Sequence, residues 1–267
     1  MWTSVLEIAG VSFAILFTLM CFVWLWFRRI DNAAVVDVGW GNGFAIAAVV
    51  SFFLAPGWFE RKLLFAALVV FWGERLTLHL LFDRILGGKP EDGRYQQMRA
   101  KWKTELPKRF FIFFQFQTVL VVVLSLPFFL AMQNPEPTFH WLEIVAGGVW
   151  LVGVLGESVA DAQLKRFKAD PANKGRTCRV GLWRLSRHPN YFFEWVIWLS
   201  YGLFALASPW GWLGLIAPAG MWYILTRVTG IPLTEEQAIR SRGDDYRQYQ
   251  RTTNAFVPWF PKTDTGV

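Results

Sequence analysis

Three stretches of this chain contain no charged side chain: Ile8–Phe27, Phe110–Met132 and Trp195–Thr226. A helix that crosses the hydrocarbon layer needs about 20 predominantly apolar residues, so the first two are each long enough to span and the third is long enough for a pair. The Ala207-Ser-Pro-Trp-Gly211 turn would divide that pair. Val35–Phe59, Leu63–Phe82 and Trp141–Ala160 are further candidates, each carrying one or more ionisable groups. The expected fold class is therefore an all-α membrane protein of about seven transmembrane helices, a single domain over residues 1–267 with no soluble domain and no internal repeat.

Basic residues alternate along the chain. Arg28 and Arg29 follow the first span, eight Lys and Arg lie from Arg84 to Arg109, and more occur between the fifth and sixth spans and from Arg227 to Lys262. Gln133–His140 and Ser208–Trp212 have none. Cytoplasmic loops retain the excess of Lys and Arg, which puts the N-terminus outside and the C-terminus in the cytoplasm. Arg61 and Lys62 alone run against the pattern. The net charge of +7 is thus mainly a topology signal, with attraction to anionic lipid or cofactor as its second use. Bases spread over separate loops argue against nucleic acid. Cys21 and Cys178 form no disulfide framework. His79, His140 and His188 are too dispersed for a metal site, and HExxH and CxxC spacings are absent.

Ionisable groups inside a span are costly, so they point to function unless they pair or snorkel. Asp37, Glu74, Arg75, Glu157, Asp161 and Glu194 all fall near the cytoplasmic ends of their helices under this topology. Glu157, Asp161 and Lys165 are spaced by four and share a helix face, as do Asn190 and Glu194. From Lys165 to Glu194 the chain carries eight Lys or Arg, a cationic loop suited to an anionic cofactor. Arg187-His-Pro-Asn-Tyr191 reads either as a plain helix start, with Pro189 in the first turn and Tyr191 at the interface, or as a site in which Asn190 and Glu194 bind a polar ring. Farther on, Thr234 ahead of Glu236 and Gln237 resembles a capped helix start. Tyr246 and Tyr249 share a face and could stack on an adenine or rest among headgroups. Glu91 to Arg99 reads as a cytoplasmic amphipathic turn.

Taken together, Trp72-Gly-Glu-Arg-Leu76, Glu91-Asp-Gly-Arg-Tyr95, Gly181-Leu-Trp183, Arg187-His-Pro-Asn-Tyr191 with Glu194, Gly230-Ile-Pro232, and Tyr246, Tyr249 and Pro258 resemble the bacterial DUF1295 branch of the steroid 5-alpha-reductase superfamily, from about Asp37 to Pro258. The resemblance implies a seven-helix reductase of the bacterial inner membrane. Such a protein would hold NADPH in a cytoplasm-facing cavity and reduce a carbon–carbon double bond conjugated to a carbonyl in an apolar lipid. By position, Glu157 and Asp161 fall near the cofactor phosphates and ribose, Lys165 and Lys168 replace the family's arginines, and Arg179 is retained. Asn190, beside the nicotinamide amide, and Glu194 match directly. Arg187, His188, Tyr191, Glu236, Tyr246 and Tyr249 complete the implied cofactor set.

The substrate half departs from the steroid enzymes: Asp37 stands where they carry a Gln-Glu pair, and Trp72 where they carry a Tyr. Reduction of an enone places negative charge on the carbonyl oxygen, which a preorganised donor must meet. A carboxyl donates only when protonated, and burial favours that form. Asp37, Glu74 and Tyr95 are the candidates. A structural Asp37 would instead pair with a base such as Arg75 and stay ionised. Two other readings are an S-adenosylmethionine-dependent methyltransferase of the isoprenylcysteine or phospholipid type and a non-catalytic lipid-binding protein.

Overall fold

A computed structural model describes residues 1–88 and 90–263. The described residues form helices and connecting turns, with no strand among them. In chain order the α-helices are α1 (Trp2–Ile30), α2 (Val35–Leu54), α3 (Phe59–Leu80), α4 (Gly93–Trp102), α5 (Leu106–Leu124), α6 (Leu126–Ala131), α7 (Trp141–Ala169), α8 (Pro189–Ala205), α9 (Ile216–Tyr223), α10 (Ile231–Arg242) and α11 (Asp244–Thr252). A π-helical turn, Leu81–Leu86, continues α3, and another, Ile224–Val228, continues α9. Five segments are long and apolar enough to cross a membrane: Trp2–Ile30, Val35–Leu54, Phe59–Leu86, Leu106–Ala131 and Trp141–Ala169. This is an integral membrane protein.

Local chemistry explains where these helices stop. Pro56 disfavours helical backbone at the residue before it, and Ala55 is extended, so α2 ends at Leu54. Pro107 at the start of α5 and Pro232 at the start of α10 occupy first-turn positions where a missing N–H costs nothing. The third charge-free run divides at the expected turn, α8 ending at Ala205 and a 3-10 turn, Gly211–Leu215, separating it from α9, but neither α8, of 17 residues, nor α9, of 8, is among the five candidate spans. Gly211 admits no side chain, because a Cβ there would lie 1.7 Å from the Ala205 carbonyl oxygen. One boundary moves substantially. α7 runs to Ala169, so Lys165 and Lys168 are helical and not part of a loop. The run Ala162-Gln-Leu-Lys-Arg-Phe-Lys-Ala169 is made largely of good helix formers, and Asp170-Pro171 stops it.

The chain divides into two compact units: residues 1–144 with 202–217, and residues 145–201 with 218–267. In the first unit, α1 turns one stripe inward, Val5, Ile8, Ser12, Leu16, Met20, Val23 and Phe27, spaced by three or four residues. Leu6 and Phe22, on its other faces, are exposed. Against it, α2 and α3 pack backbone to backbone through Gly41 and Gly73, the small-residue contact that brings membrane helices close. In the second unit the same device joins α7 to α8, where Gly153 and Gly156 admit Ile197 and Phe193.

Candidate functional site

Each unit contains a polar cluster. In the first, Asp37 sits in the opening turn of α2. The π turn after α3 carries Arg84, whose Nη1 donates to Asp37 Oδ2. Arg94 Nη2 donates to the same oxygen at 3.2 Å, and the Tyr95 hydroxyl donates to Oδ1 at 2.7 Å. Asp92 caps α4 by accepting from the Arg94 N–H at 2.9 Å, and it pairs with Arg94 Nε at 3.0 Å. Burial raises the Tyr95 phenol and the adjacent Asp37 carboxylate raises it further. Arg94 and Arg84 only partly offset this, so the hydroxyl stays protonated well above its ordinary range. Burial alone would raise Asp92, but the charge and hydrogen bonds of Arg94 prevail and hold it below the usual carboxylate value.

This arrangement revises the reading of Asp37. Two guanidinium groups and a phenol all donate to it, which is the contact set of a carboxylate acceptor and not of a protonated donor. The bases it meets are Arg84 and Arg94, in place of Arg75, the example of a base for a structural Asp37. Arg84 opens the basic run and Arg94 belongs to the Glu91-Asp-Gly-Arg-Tyr95 motif, but their pairing with Asp37 is not legible in the sequence, because they lie 47 and 57 residues from it. Glu74 makes a separate contact, accepting from Asn42 Nδ2 at 2.7 Å between α3 and α2. The Glu91–Arg99 segment is firmly tied and is not a turn lying on the surface. Glu91 accepts from the Ala33 N–H at 2.7 Å and from Arg99 Nε at 2.8 Å, and Arg99 also pairs with Asp31.

In the second unit, Glu157, Asp161 and Lys165 share a face of α7 that passes from buried Glu157 through half-buried Asp161 to exposed Lys165. Lys168 is also exposed. Asn190, in the first turn of α8, reaches Asp161 Oδ1 with Nδ2 at 3.4 Å, and Glu194 follows one turn later, half-buried. The connecting loop is fastened to the end of α7. Gln163 accepts from the Leu182 N–H at 2.9 Å, and Trp183 Nε1 donates to the Ala160 carbonyl at 2.9 Å. Arg179 pairs with Asp245 at 2.9 Å.

The centre of this unit's polar network is Glu235, the neighbour of Glu236 that the implied cofactor set leaves out. It accepts from Arg187 Nε at 2.6 Å, His188 Nε2 at 3.1 Å, Gln250 Nε2 at 2.7 Å and the Tyr246 hydroxyl at 3.4 Å. Burial alone would raise its carboxyl. The bonds from His188 and Arg187 outweigh that and bring it down to about 2. Burial lowers His188 below its ordinary range despite Glu235, so the ring is neutral near pH 7. Its Nε2 must carry the proton, because a carboxylate only accepts. His188 stacks on Tyr191 with the ring planes 6° apart, and the Tyr191 hydroxyl meets Thr234 Oγ1 at 3.1 Å.

Three expectations in this region are corrected. Glu236 is exposed and pairs with Arg240 on its own helix, so it does not join the cluster. The residue that joins is its neighbour, because Ile231 and Ala238 define the buried face of α10 and Glu235 lies on that face, four after Ile231. Thr234 is not a cap: α10 begins at Ile231 with Gly230 before it. Tyr246 and Tyr249 are buried and packed edge to face, open neither to an adenine nor to headgroups. The Tyr249 hydroxyl bonds the Trp183 carbonyl and, at 3.0 Å, that of Ser186, and so pins the loop before α8. Apolar periodicity around Ile231 and Ala238 was the available signal for Glu235.

Among the described residues no group of three or more His, Cys, Asp or Glu is placed to hold a metal ion. The profile of the family described as "Protein of unknown function (DUF1295)", which is related to steroid 5-alpha-reductase-like proteins, matches residues 23–253. An uncharacterized protein of Schizosaccharomyces pombe is 30% identical over 229 residues, covering 74% of this chain and 64% of that protein. A probable O-methyltransferase, ustE, of Ustilaginoidea virens is 47% identical over 60 residues, 22% of this chain and 20% of that protein. The chain thus spans less than two thirds of the length of either relative. No solved structure matches.

Proposed function

This chain belongs to the DUF1295 family, and on that membership we propose that it is an NADPH-dependent reductase of a carbon–carbon double bond conjugated to a carbonyl in an apolar lipid, acting in a bacterial inner membrane. The observation that carries this reading is the basic surface at the end of α7 and along the loop after it. Lys165, Arg166, Lys168, Lys174, Arg176 and Arg184 are all exposed there. Such a surface suits a ligand rich in phosphate, which gains charge-assisted hydrogen bonds from each Lys or Arg it meets. Lys165 and Lys168 would hold the phosphates, with Asn190 on the nicotinamide amide. Bound NADPH would supply the hydride.

The chain's own residues supply the proton and the fixed charges. Tyr95 is the proton donor in this reading: its hydroxyl, which donates to Asp37 in the free chain, would turn to the substrate, and the charges of Arg94 and Arg84 would offset the phenolate left behind. Asp37 orients that hydroxyl, and Arg84 and Arg94 hold Asp37 and provide positive charge for a developing enolate oxygen. The topology in this reading has seven spans, with the N-terminus outside and the C-terminus in the cytoplasm, α8 and α9 with its π turn adding the last two. Arg61 is no longer an objection to that orientation, because it is buried against Glu143.

The 60-residue match to a probable O-methyltransferase favours a second reading, a methyltransferase using S-adenosylmethionine. That donor is a sulfonium cation without phosphate, so the basic surface suits it less. Titration of the purified chain in lipid nanodiscs with NADPH, NADH and S-adenosylmethionine separates the two. Lys165→Ala with Lys168→Ala should weaken NADPH binding by at least about tenfold, given roughly 1.5–3 kcal/mol for a hydrogen bond to a charged group. Tyr95→Phe should retain NADPH binding and lose most turnover of an enone lipid. Unchanged NADPH curves in the lysine variant would reject the phosphate assignment, and binding of the methyl donor alone would reject the reductase.

A further inference from the structure

The C-terminal segment after α11 does something that neither cluster requires. Residues 254–262 lie along the loop that leads into α8 and bond to it repeatedly. The Arg187 N–H donates to the Asn254 carbonyl at 2.8 Å, Ser186 Oγ to the Phe256 carbonyl at 2.8 Å, and the Trp259 N–H to the Leu185 carbonyl at 2.9 Å. Phe256 turns inward, its ring 5.7 Å from that of Phe192 and 6.0 Å from that of Trp195. The residues after it turn outward: Val257 is 54% exposed, Trp259 65% and Phe260 77%. Beside Phe260 is a recess lined by Gly181, Arg184, Leu185 and Pro261.

The depth of this apolar tip can be read within the same unit. On the outer surface of α7, Leu151, Val152, Leu155 and Val159 are exposed and apolar, and Lys165 and Arg166 follow. Lipid therefore gives way to water between residues 159 and 165 of that helix. Trp183 bonds to Ala160 and Leu182 to Gln163, which holds the 181–185 loop at that level. Trp259 bonds to Leu185 and is held there too. Trp at the headgroup boundary is a favoured position, and exposed Arg184, Arg251 and Lys262 add the positive charge that anionic headgroups attract.

We propose that Val257–Phe260 is an interfacial anchor that inserts into the headgroup–acyl boundary of an anionic bilayer, with Arg184, Arg251 and Lys262 on the headgroups. Because the strap bonds to Leu185, Ser186 and Arg187, the anchor steadies the loop that presents Arg187 and His188 to Glu235. The occupant is the protein's own membrane, and a contact with a second polypeptide is the competing outcome.

Spin labelling of the full chain in vesicles tests this. A nitroxide is attached to Phe260→Cys, and separately to Val257→Cys, in a Cys21→Ala, Cys178→Ala background, with exposed Arg240→Cys as the aqueous reference. Collision rates with oxygen, which partitions into lipid, and with a water-soluble nickel chelate are compared in phosphatidylcholine with and without phosphatidylglycerol. The anchor requires a severalfold higher ratio of oxygen to nickel collisions at 260 and 257 than at 240, rising when phosphatidylglycerol is present. Ratios equal to that at 240 would place the tip in water and overturn the proposal. Shielding from both reagents would mean that protein covers it, also overturning the proposal, and no response to phosphatidylglycerol would remove the role given to the three basic residues.

Discussion

Replacing Glu235 with Gln keeps the size and one acceptor oxygen but removes the charge that Arg187 meets at 2.6 Å. A carboxyl held at about 2 against an ordinary 4.5 corresponds to about 3 kcal/mol at roughly 1.4 kcal/mol per pH unit. Water that reaches this partly covered group screens the interaction, which reduces the expected loss to about 1–2 kcal/mol. The sign follows from the direction of the shift. A group lowered in the folded state contributes its full stability above 4.5 and loses it as pH falls toward about 2. Thermal inactivation half-lives in detergent, taken from pH 7 downward, are a suitable assay because membrane proteins commonly unfold irreversibly. Glu235→Gln should inactivate faster than the parent at pH 7, and the two should converge as pH falls below 4.5. A variant as durable as the parent at pH 7, or a gap that persists unchanged into acid, would refute the view that an ionised Glu235 organises this cluster.

Two further outcomes follow from packing in the first unit. The Arg61 guanidinium is buried and all its donors are engaged: with Glu143 at 2.6 and 3.2 Å, and with the carbonyls of Asn134, Glu136 and Thr138 at 3.0, 2.7 and 2.6 Å. Glu143→Ala or Arg61→Ala alone should each cost about 3–5 kcal/mol by stranding a buried charge, and the double replacement should cost clearly less than the sum in a double-mutant cycle; strict additivity would show that the two residues do not act as a pair. Gly41→Ala puts a Cβ 2.7 Å from Thr77 Oγ1 and 3.2 Å from the Gly73 carbonyl oxygen. It should cost about 1–3 kcal/mol by forcing α2 from α3, seen as a lower apparent melting temperature, and a parent-like transition would contradict the close approach.

Much of the architecture is written locally. The charge-free runs Ile8–Phe27 and Phe110–Met132 mark membrane helices because length and apolarity are the whole requirement for crossing hydrocarbon, whereas Trp195–Thr226 is broken into pieces that are not among the five candidate spans. Pro189 opens α8, the turn before Gly211 closes the following segment, and Pro56 stops α2, each through backbone constraints that need no distant partner. The candidate site is legible at Asn190 and Asp161, which the structure joins, and at Asp37 and Tyr95, which lie in separate motifs and bond to each other in the fold. What the sequence could not determine was which face of each span turns inward. Lipid is as apolar as a protein core, so the Val5–Phe27 stripe of α1 and its exposed Leu6 and Phe22 read alike until other helices cover one of them. Nor could it choose partners for the charges. Arg84 and Arg94 reach Asp37 from 47 and 57 residues away, and Glu235, and not Glu236, receives Arg187 and His188. Pairing over such separations is decided by how the helices pack, because a charge removed from water is stabilised only by the groups that packing places within hydrogen-bond reach.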